Sequence, residues 1–346
     1  METNKTLANE SRLVDENKGL KNKIISIITR WEGMLALIII GMVIVFSNIT
    51  PYFLDYFNLM NATFTFMEKA ILALPMIFVI LSGDIDISVA AIIALSSFAM
   101  GFGSSLGLGT AEIIIIGILV GGLAGAFNGL FIIKFGIPPI AVTLASLSLF
   151  RGISQAILED QAFTEYPESF SYFGQGYIKG TLIPFELVFF LILAAGFAYV
   201  LHKTTYGRKL YAIGNSSTAA RFSGVPVDRI RFTNFVLNGL FAGVVAVLLT
   251  SRIGSTRPNI AQGWELEAIT LVVLGGVSIT GGKGNIVGVI LSIFLIGYLK
   301  FGMGLINMSA KVMIITTGFL LILAVLLPVM MDAIKKGNKL RFQRKT

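Results

Sequence analysis

Apolar runs of about 20 residues recur from residue 33 to residue 330, separated by short polar or glycine-rich stretches. The runs are continuous and do not alternate. They predict membrane-spanning α-helices and argue against a β-barrel. Ten spans are predicted, at about 33–50, 63–82, 88–105, 111–133, 140–157, 184–201, 232–250, 266–280, 286–301 and 312–330. Asn48 and Pro51 end the first, and the prolines of FGIPP at 135–139 cannot continue the fourth. That fourth run carries Gly117, Gly121, Gly125 and Gly129 at a spacing of four. Such spacing makes one smooth helix face, against which another helix can approach closely.

Three polar interruptions stand out. The first is SGDIDISVAA, with Asp84 and Asp86. Aspartates here either cap the following helix in a solvated turn or line a path where a helix is broken. The second, residues 158–182, is acidic and aromatic and suits an outer face. The third, 202–231, is basic and reads HKTTYGRKLYAIGNSSTAARFSGVPVDRIR. Within it Asn215 or Ser216 is a candidate N-cap, an Ala-rich turn of helix follows, Ser223 and Gly224 stop it, and Pro226-Val227-Asp228 starts the next helix. This element either docks in a groove of a soluble partner or lies on anionic lipid. Elsewhere, Glu68, Lys69 and Arg151 fit interfacial snorkelling, Asn128 fits a hydrogen bond across helices, and Trp31 and Trp264 fit interface anchors.

Composition agrees with the pattern: 55% of residues are hydrophobic and 13% charged, against about 25% charged in soluble domains. The net charge of +8 lies in a few blocks between apolar runs, which argues against nucleic acid as a partner. With the N-terminus inside, segments 1–32, 83–88, 133–138, 202–231, 282–286 and 333–346 are cytoplasmic. They hold about 20 of the 27 Lys and Arg, the bias of the positive-inside rule. The expected organisation is an all-α polytopic membrane protein with both termini cytoplasmic. A tail over 1–32 precedes a transmembrane domain over 33–332, and a basic tail covers 333–346. About thirty polar and charged residues precede the first apolar run, so the chain lacks a signal-peptide pattern and is expected to enter the membrane through its own helices.

Zero cysteines exclude disulfides and thiol catalysis, and a single histidine, His202, argues against a histidine metal site or a Ser-His triad. TGGKGN at 280–285 lacks the spacing of a phosphate-binding loop and reads as a tight turn. Nucleotide chemistry therefore belongs to another subunit, and no cofactor or metal is expected on this chain.

YAIGNSSTAARFSGVPVDRIR resembles the cytoplasmic coupling segment of bacterial ABC sugar-import permeases of the ribose/xylose/autoinducer-2 class. GDIDISVAA, FGIPPIAVTLASLSLFRGIS and WELEAITLVVLGGVSITGGKGN resemble the same family, over about residues 30–330. Within it EKAILALP, LFRGIS, YPESFSYFGQG and SRIGSTRPNIAQGWELE look most like rhamnose-type permeases. The common family pattern Gly-Gly-Ile-Asp-Leu-Ser-Val-Gly departs here to Ser-Gly-Asp-Ile-Asp-Ile-Ser-Val-Ala, so a ribose-specific path does not carry over. The resemblance implies an importer permease in the bacterial inner membrane, paired with a second permease chain. ATP-binding subunits sit below it and an extracytoplasmic sugar-binding protein above. It implies that Gly214, Asn215, Ala219, Ala220, Arg221, Ser223 and Gly224 form the coupling segment. Asp84, Asp86, Asn128, Thr143 and Glu267 are the candidates for the translocation path. The competing reading is an ion-coupled secondary transporter, which predicts carboxylates within the membrane and uptake that ignores ATP. A membrane-embedded enzyme lacks a metal cluster or nucleophile–base pair.

Overall fold

The computed structural model describes residues 31–159, 161–320, 322, 323 and 326. Nearly all of the tail 1–32, the end of the tenth predicted span and the basic tail 333–346 lie outside the described residues. Within them the chain is helical. Two isolated antiparallel bridges, Phe163 with Thr256 and Tyr177 with Pro184, are the only β-type pairings among the described residues.

In chain order the helices are α1 (Trp31–Ile49), α2 (Tyr56–Thr63), α3 (Met67–Leu81), α4 (Val89–Ser105), α5 (Thr110–Lys134), α6 (Pro139–Leu158), α7 (Tyr172–Gln175) and α8 (Phe185–Lys203). Then come α9 (Thr205–Asn215), α10 (Ser217–Phe222), α11 (Val227–Ile253), α12 (Trp264–Leu274), α13 (Ile286–Leu305) and α14 (Ala310–Leu320). Six helices, α1, α5, α6, α8, α11 and α13, are each long and apolar enough to cross a membrane. A seventh crossing follows if α2 and α3, bent by 50° at a short break, count as one.

Ten full-length spans are therefore not what helix length supports. The predicted eighth span, 266–280, is corrected to an 11-residue helix, α12, followed by non-helical chain to Asn285. Eleven residues cover about 16 Å, roughly half a hydrocarbon core. The reason is local: Gly276 adopts φ +89°, a left-handed conformation that ends the helix inside an apolar run. The basic stretch 202–231 is likewise mostly helical, divided among the end of α8, all of α9 and α10, and the start of α11.

α11 is the axis of the bundle. At 27 residues it is about 40 Å long, and it packs along α5, α3 and α4. The glycine stripe of α5 meets it directly. A Cβ on Gly121 would overlap Gly239 and Gly243 of α11, and one on Gly125 would overlap the Phe235 carbonyl. The predicted smooth face thus permits backbone-to-backbone contact, matched by glycines on its partner. Beyond Glu68 and Lys69 in its first turn α3 is apolar all round, and all of it but Lys69 is buried, as expected of a central helix.

Candidate functional site

Between α3 and α4 the chain runs without helix from residue 82 to residue 88. Gly83 (φ +85°) stops α3. Asp84 then accepts a two-point hydrogen-bonded ion pair from Arg231 in the first turns of α11, Nε to Oδ2 at 2.7 Å and Nη2 to Oδ1 at 2.6 Å. The planar guanidinium fork suits this geometry. Asp86, fully buried, behaves differently. Its Oδ1 accepts from the Ser88 amide (2.9 Å) and hydroxyl (2.6 Å), and its Oδ2 accepts from Asn238 Nδ2 (2.8 Å). All three donors are neutral, and among the described residues no Lys or Arg pairs with it.

The network extends outward. Asn128 Nδ2 donates to Ser88 Oγ (2.8 Å), and Ser146 Oγ donates to Asn128 Oδ1 (2.5 Å). One buried polar chain therefore links the break to α11, α5 and α6, about three turns into α11. The turn is not solvated, since both aspartates are buried: Asp86 holds the Ser88 residue that precedes α4, and the break forms a buried polar seam. Thr143, one turn before Ser146, is buried but donates to Pro139 O of its own helix (2.9 Å) and stays outside the network. Glu267 lies elsewhere, at the far end of the bundle, where one carboxylate oxygen meets Lys69 and Lys300, each at 2.8 Å.

That end also corrects two expectations. Glu68 is fully buried and paired with Arg252, and Lys69 is largely buried against Glu267, 4.8 Å from the Trp264 ring. Neither is a free interfacial charge: each is paired with an opposite charge inside the bundle, which offsets part of the cost of withdrawing it from water. Arg151 donates to the carbonyls of Pro258 (3.0 Å) and Ile260 (2.8 Å), fastening the α11–α12 connection. Nearby, Tyr166 in the 159–184 segment hydrogen-bonds Thr256 (2.6 Å), and burial pushes its phenol up to about 12.

The basic end holds the coupling candidates. Ser216 is the N-cap of α10, accepting from the Ala219 amide at 3.2 Å, and Gly224 (φ +79°) follows its end. Of the six residues of α10 only Ala220 is buried. Arg221 is held by Asp228 through two hydrogen bonds of 2.8 and 2.6 Å, and Phe222 stands 90% exposed, an apolar tip beside a charged pair. Ala219, Ser223 and Gly224 are exposed around it.

Gly214 packs inward, and Asn215 beside it is exposed. A Cβ on Gly214 would overlap the carbonyl of Leu81, the last residue of α3, and the amide of Gly282. The Gly282 amide donates to Leu81 O (3.0 Å), Asn215 Nδ2 donates to Gly282 O (3.4 Å), and Tyr211 OH donates to Gly284 O (2.8 Å). Tyr206 OH donates to Asn234 Oδ1 (2.6 Å), whose amide reaches Phe78 O and Ser82 Oγ, both at 3.2 Å. α9 is thus fastened along its length to the end of α3 and to the 275–285 segment. The turn TGGKGN is part of this junction.

Sequence reasoning missed Arg231, Asn238, Tyr206, Tyr211 and Phe222. Arg231 carried one signal: it closes the basic stretch at the mouth of an apolar run, where a lone cation needs a partner. No group of three or more His, Cys, Asp or Glu is placed to hold a metal among the described residues. The arrangement is mechanical: an exposed helical knob, a close-packed glycine junction and a buried polar seam one step beyond it.

Residues 58–327 match the family described as branched-chain amino acid transport system / permease component. The chain is similar to the ribose import permease protein RbsC of Bacillus subtilis, 36% identical over 289 residues, 83% of this chain and 89% of the relative. It is also similar to the autoinducer 2 import system permease protein LsrD of Salmonella paratyphi B (35% over 301 residues, 85% and 90%) and of Photorhabdus laumondii (35% over 301 residues, 85% and 90%). No solved structure matches. A match spanning most of the chain, on a bundle of apolar helices, places this protein in that permease family, as a multi-pass membrane component of a transport system.

Proposed function

We propose that the chain forms the translocation pore of an ATP-driven importer for a small sugar or sugar-like solute, and that α9 and α10 receive force from separate ATP-binding subunits. The relatives named for ribose and autoinducer 2 support the solute class. The finer assignment to rhamnose rests on the motif resemblance. In this reading both termini and the α9–α10 end face the cytoplasm, the segment 159–184 faces a sugar-binding protein outside, and a second permease chain completes the pore.

One observation carries the coupling role: Gly214 packs without side chain against Leu81 and Gly282, so displacement of α10 and α9 reaches the end of α3 directly. The segment beyond Leu81 carries Asp84 and Asp86. Asp86, Asn128 and Asn238 are the groups we assign to the path, since neutral, exchangeable hydrogen bonds can yield to a solute's hydroxyls. Thr143 bonds within its own helix and Glu267 pairs with Lys69 and Lys300, so we leave both out of this assignment.

Asp86 also supports a second reading, ion-coupled transport, because a buried carboxylate without a cationic partner suits a proton or sodium ion. Reconstitution separates the two. Vesicles holding the permease, its ATP-binding subunits and its binding protein should take up sugar with ATP inside and continue when ionophores collapse ion gradients. Uptake driven by a gradient without nucleotide contradicts the proposal. Deleting 215–224 should abolish sugar-stimulated hydrolysis while the protein still inserts.

A further inference from the structure

At the end of the bundle opposite α10, α3, α12, α13 and α14 enclose a cavity of about 400 Å³, within the range of small-ligand sites. Its wall is almost wholly apolar, with Phe66, Leu271, Ile293 and Ile296 among the residues that line it. Three charges interrupt that wall: Lys69, Glu267 and Lys300. One oxygen of Glu267 meets both ammonium groups at 2.8 Å, so two cations share a single carboxylate and the cluster keeps one surplus positive charge. Each ammonium has three donors. Lys69 also stands over the Trp264 ring, and the other residues lining the cavity offer little else polar.

From the geometry we infer that this cavity binds an anionic phospholipid. The lining runs along α13 from Ile293 to Leu305, about 18 Å, a length suited to an acyl chain. Lys300 lies about 8 Å short of the end of α13, and Lys69 is the third residue of α3, so the ammonium pair stands near one end of both helices. Among the described residues the surrounding surface is apolar and open: Leu266 is 56% exposed, and Ile314, Ile315 and Phe319 of α14 are similarly open. A small free anion would satisfy the charge but leave the apolar wall empty. A neutral solute would leave the surplus ammonium unmatched. A lipid with an acidic headgroup that seats one acyl chain in the cavity, its remainder lying against the open apolar surface, meets both requirements, whichever solute the protein transports.

The test uses Trp264, which lies 4.8 Å from the Lys69 ammonium, and the chain has only two tryptophans. In a Trp31→Phe background, phosphatidylglycerol brominated on its acyl chains should quench Trp264 more strongly than brominated phosphatidylcholine at equal mole fraction. Lys300→Met leaves the Lys69–Glu267 pair in place and should lower that preference about fivefold, the effect of one cation at a membrane surface. Glu267→Gln removes the shared anion and should raise it by about the same factor. A site that merely holds the helices together would respond in the same direction to both. Equal quenching by the two lipids, or variants that move together, overturns the inference. So does displacement of the lipid by inorganic phosphate, which would mark a simple anion site, or by transported monosaccharide, which would mark a solute path.

Discussion

The segments that follow α3 and α12 are built on the same turn. After α3, the Gly83 amide donates to Ile80 O (2.9 Å) and the Asp84 amide to Val79 O (3.2 Å). After α12, the Gly276 amide donates to Val273 O (2.9 Å) and the Val277 amide to Val272 O (3.3 Å). Both glycines are left-handed, at φ +85° and +89°, and both turns close a helix with a pair of back-reaching amides. The two segments touch where Gly282 reaches Leu81. Beyond the turn they diverge. The first carries Asp84 and Asp86, fixed by side chains to α11. The second carries Gly281, Gly282 and Gly284, all with positive φ; its backbone bonds the Leu81 carbonyl of α3 and accepts from the Asn215 and Tyr211 side chains of α9. One local device therefore serves two purposes: the first break holds buried polarity, and the second gives close backbone contact to α3 and α9.

The comparison breaks most sharply at Asp84. Replacing it with alanine strands a partly buried guanidinium and should cost about 2–4 kcal/mol, less than a fully dry pair because Arg231 is 23% exposed. Thermal unfolding in detergent should show the loss, and the double variant Asp84→Ala, Arg231→Met should recover most of it. The turn glycines come next. Gly83→Ala should cost about 1–2 kcal/mol from left-handed strain alone, since the nearest atom to its Cβ would be 3.7 Å away. Gly276→Ala should cost about 1 kcal/mol more, because its Cβ would press on the Trp31 ring at 2.7 Å. Equal losses at the two sites would show that surroundings do not distinguish the turns. Smallest in stability is Phe222→Ala, within about 0.5 kcal/mol at an exposed position. It should nevertheless weaken stimulation of the ATPase, which binding assays with the isolated ATP-binding subunit can measure.

Much of this was legible in the chain. The apolar runs announce the membrane class, the spacing of Gly117 to Gly129 announces a close helix pair, and Ser216, one of two candidate N-caps, and the Ser223-Gly224 stop bound α10. The sequence did not reveal partners. Asp84 and Arg231 are 147 positions apart, and Glu68 and Arg252 are 184 apart, so no local rule pairs them. Nor did the sequence show where α12 ends. Val277 and Ile279 continue the apolar run beyond Gly276, and hydropathy averages over a turn that backbone conformation decides. α9 was hidden for the opposite reason: it is too polar to read as a span, and its buried face, with Gly207, Leu210 and Ile213, serves only one short junction.

The central claim is that motion passes from α9 to the α3 break through the side-chain-free contact at Gly214. Gly214→Leu in the reconstituted complex tests it most directly, with uptake and hydrolysis measured together. The account predicts an inserted, folded permease whose sugar-stimulated hydrolysis and uptake fall by about tenfold or more, equivalent to about 1.4 kcal/mol of lost coupling. Wild-type stimulation and uptake with leucine at that position would contradict it.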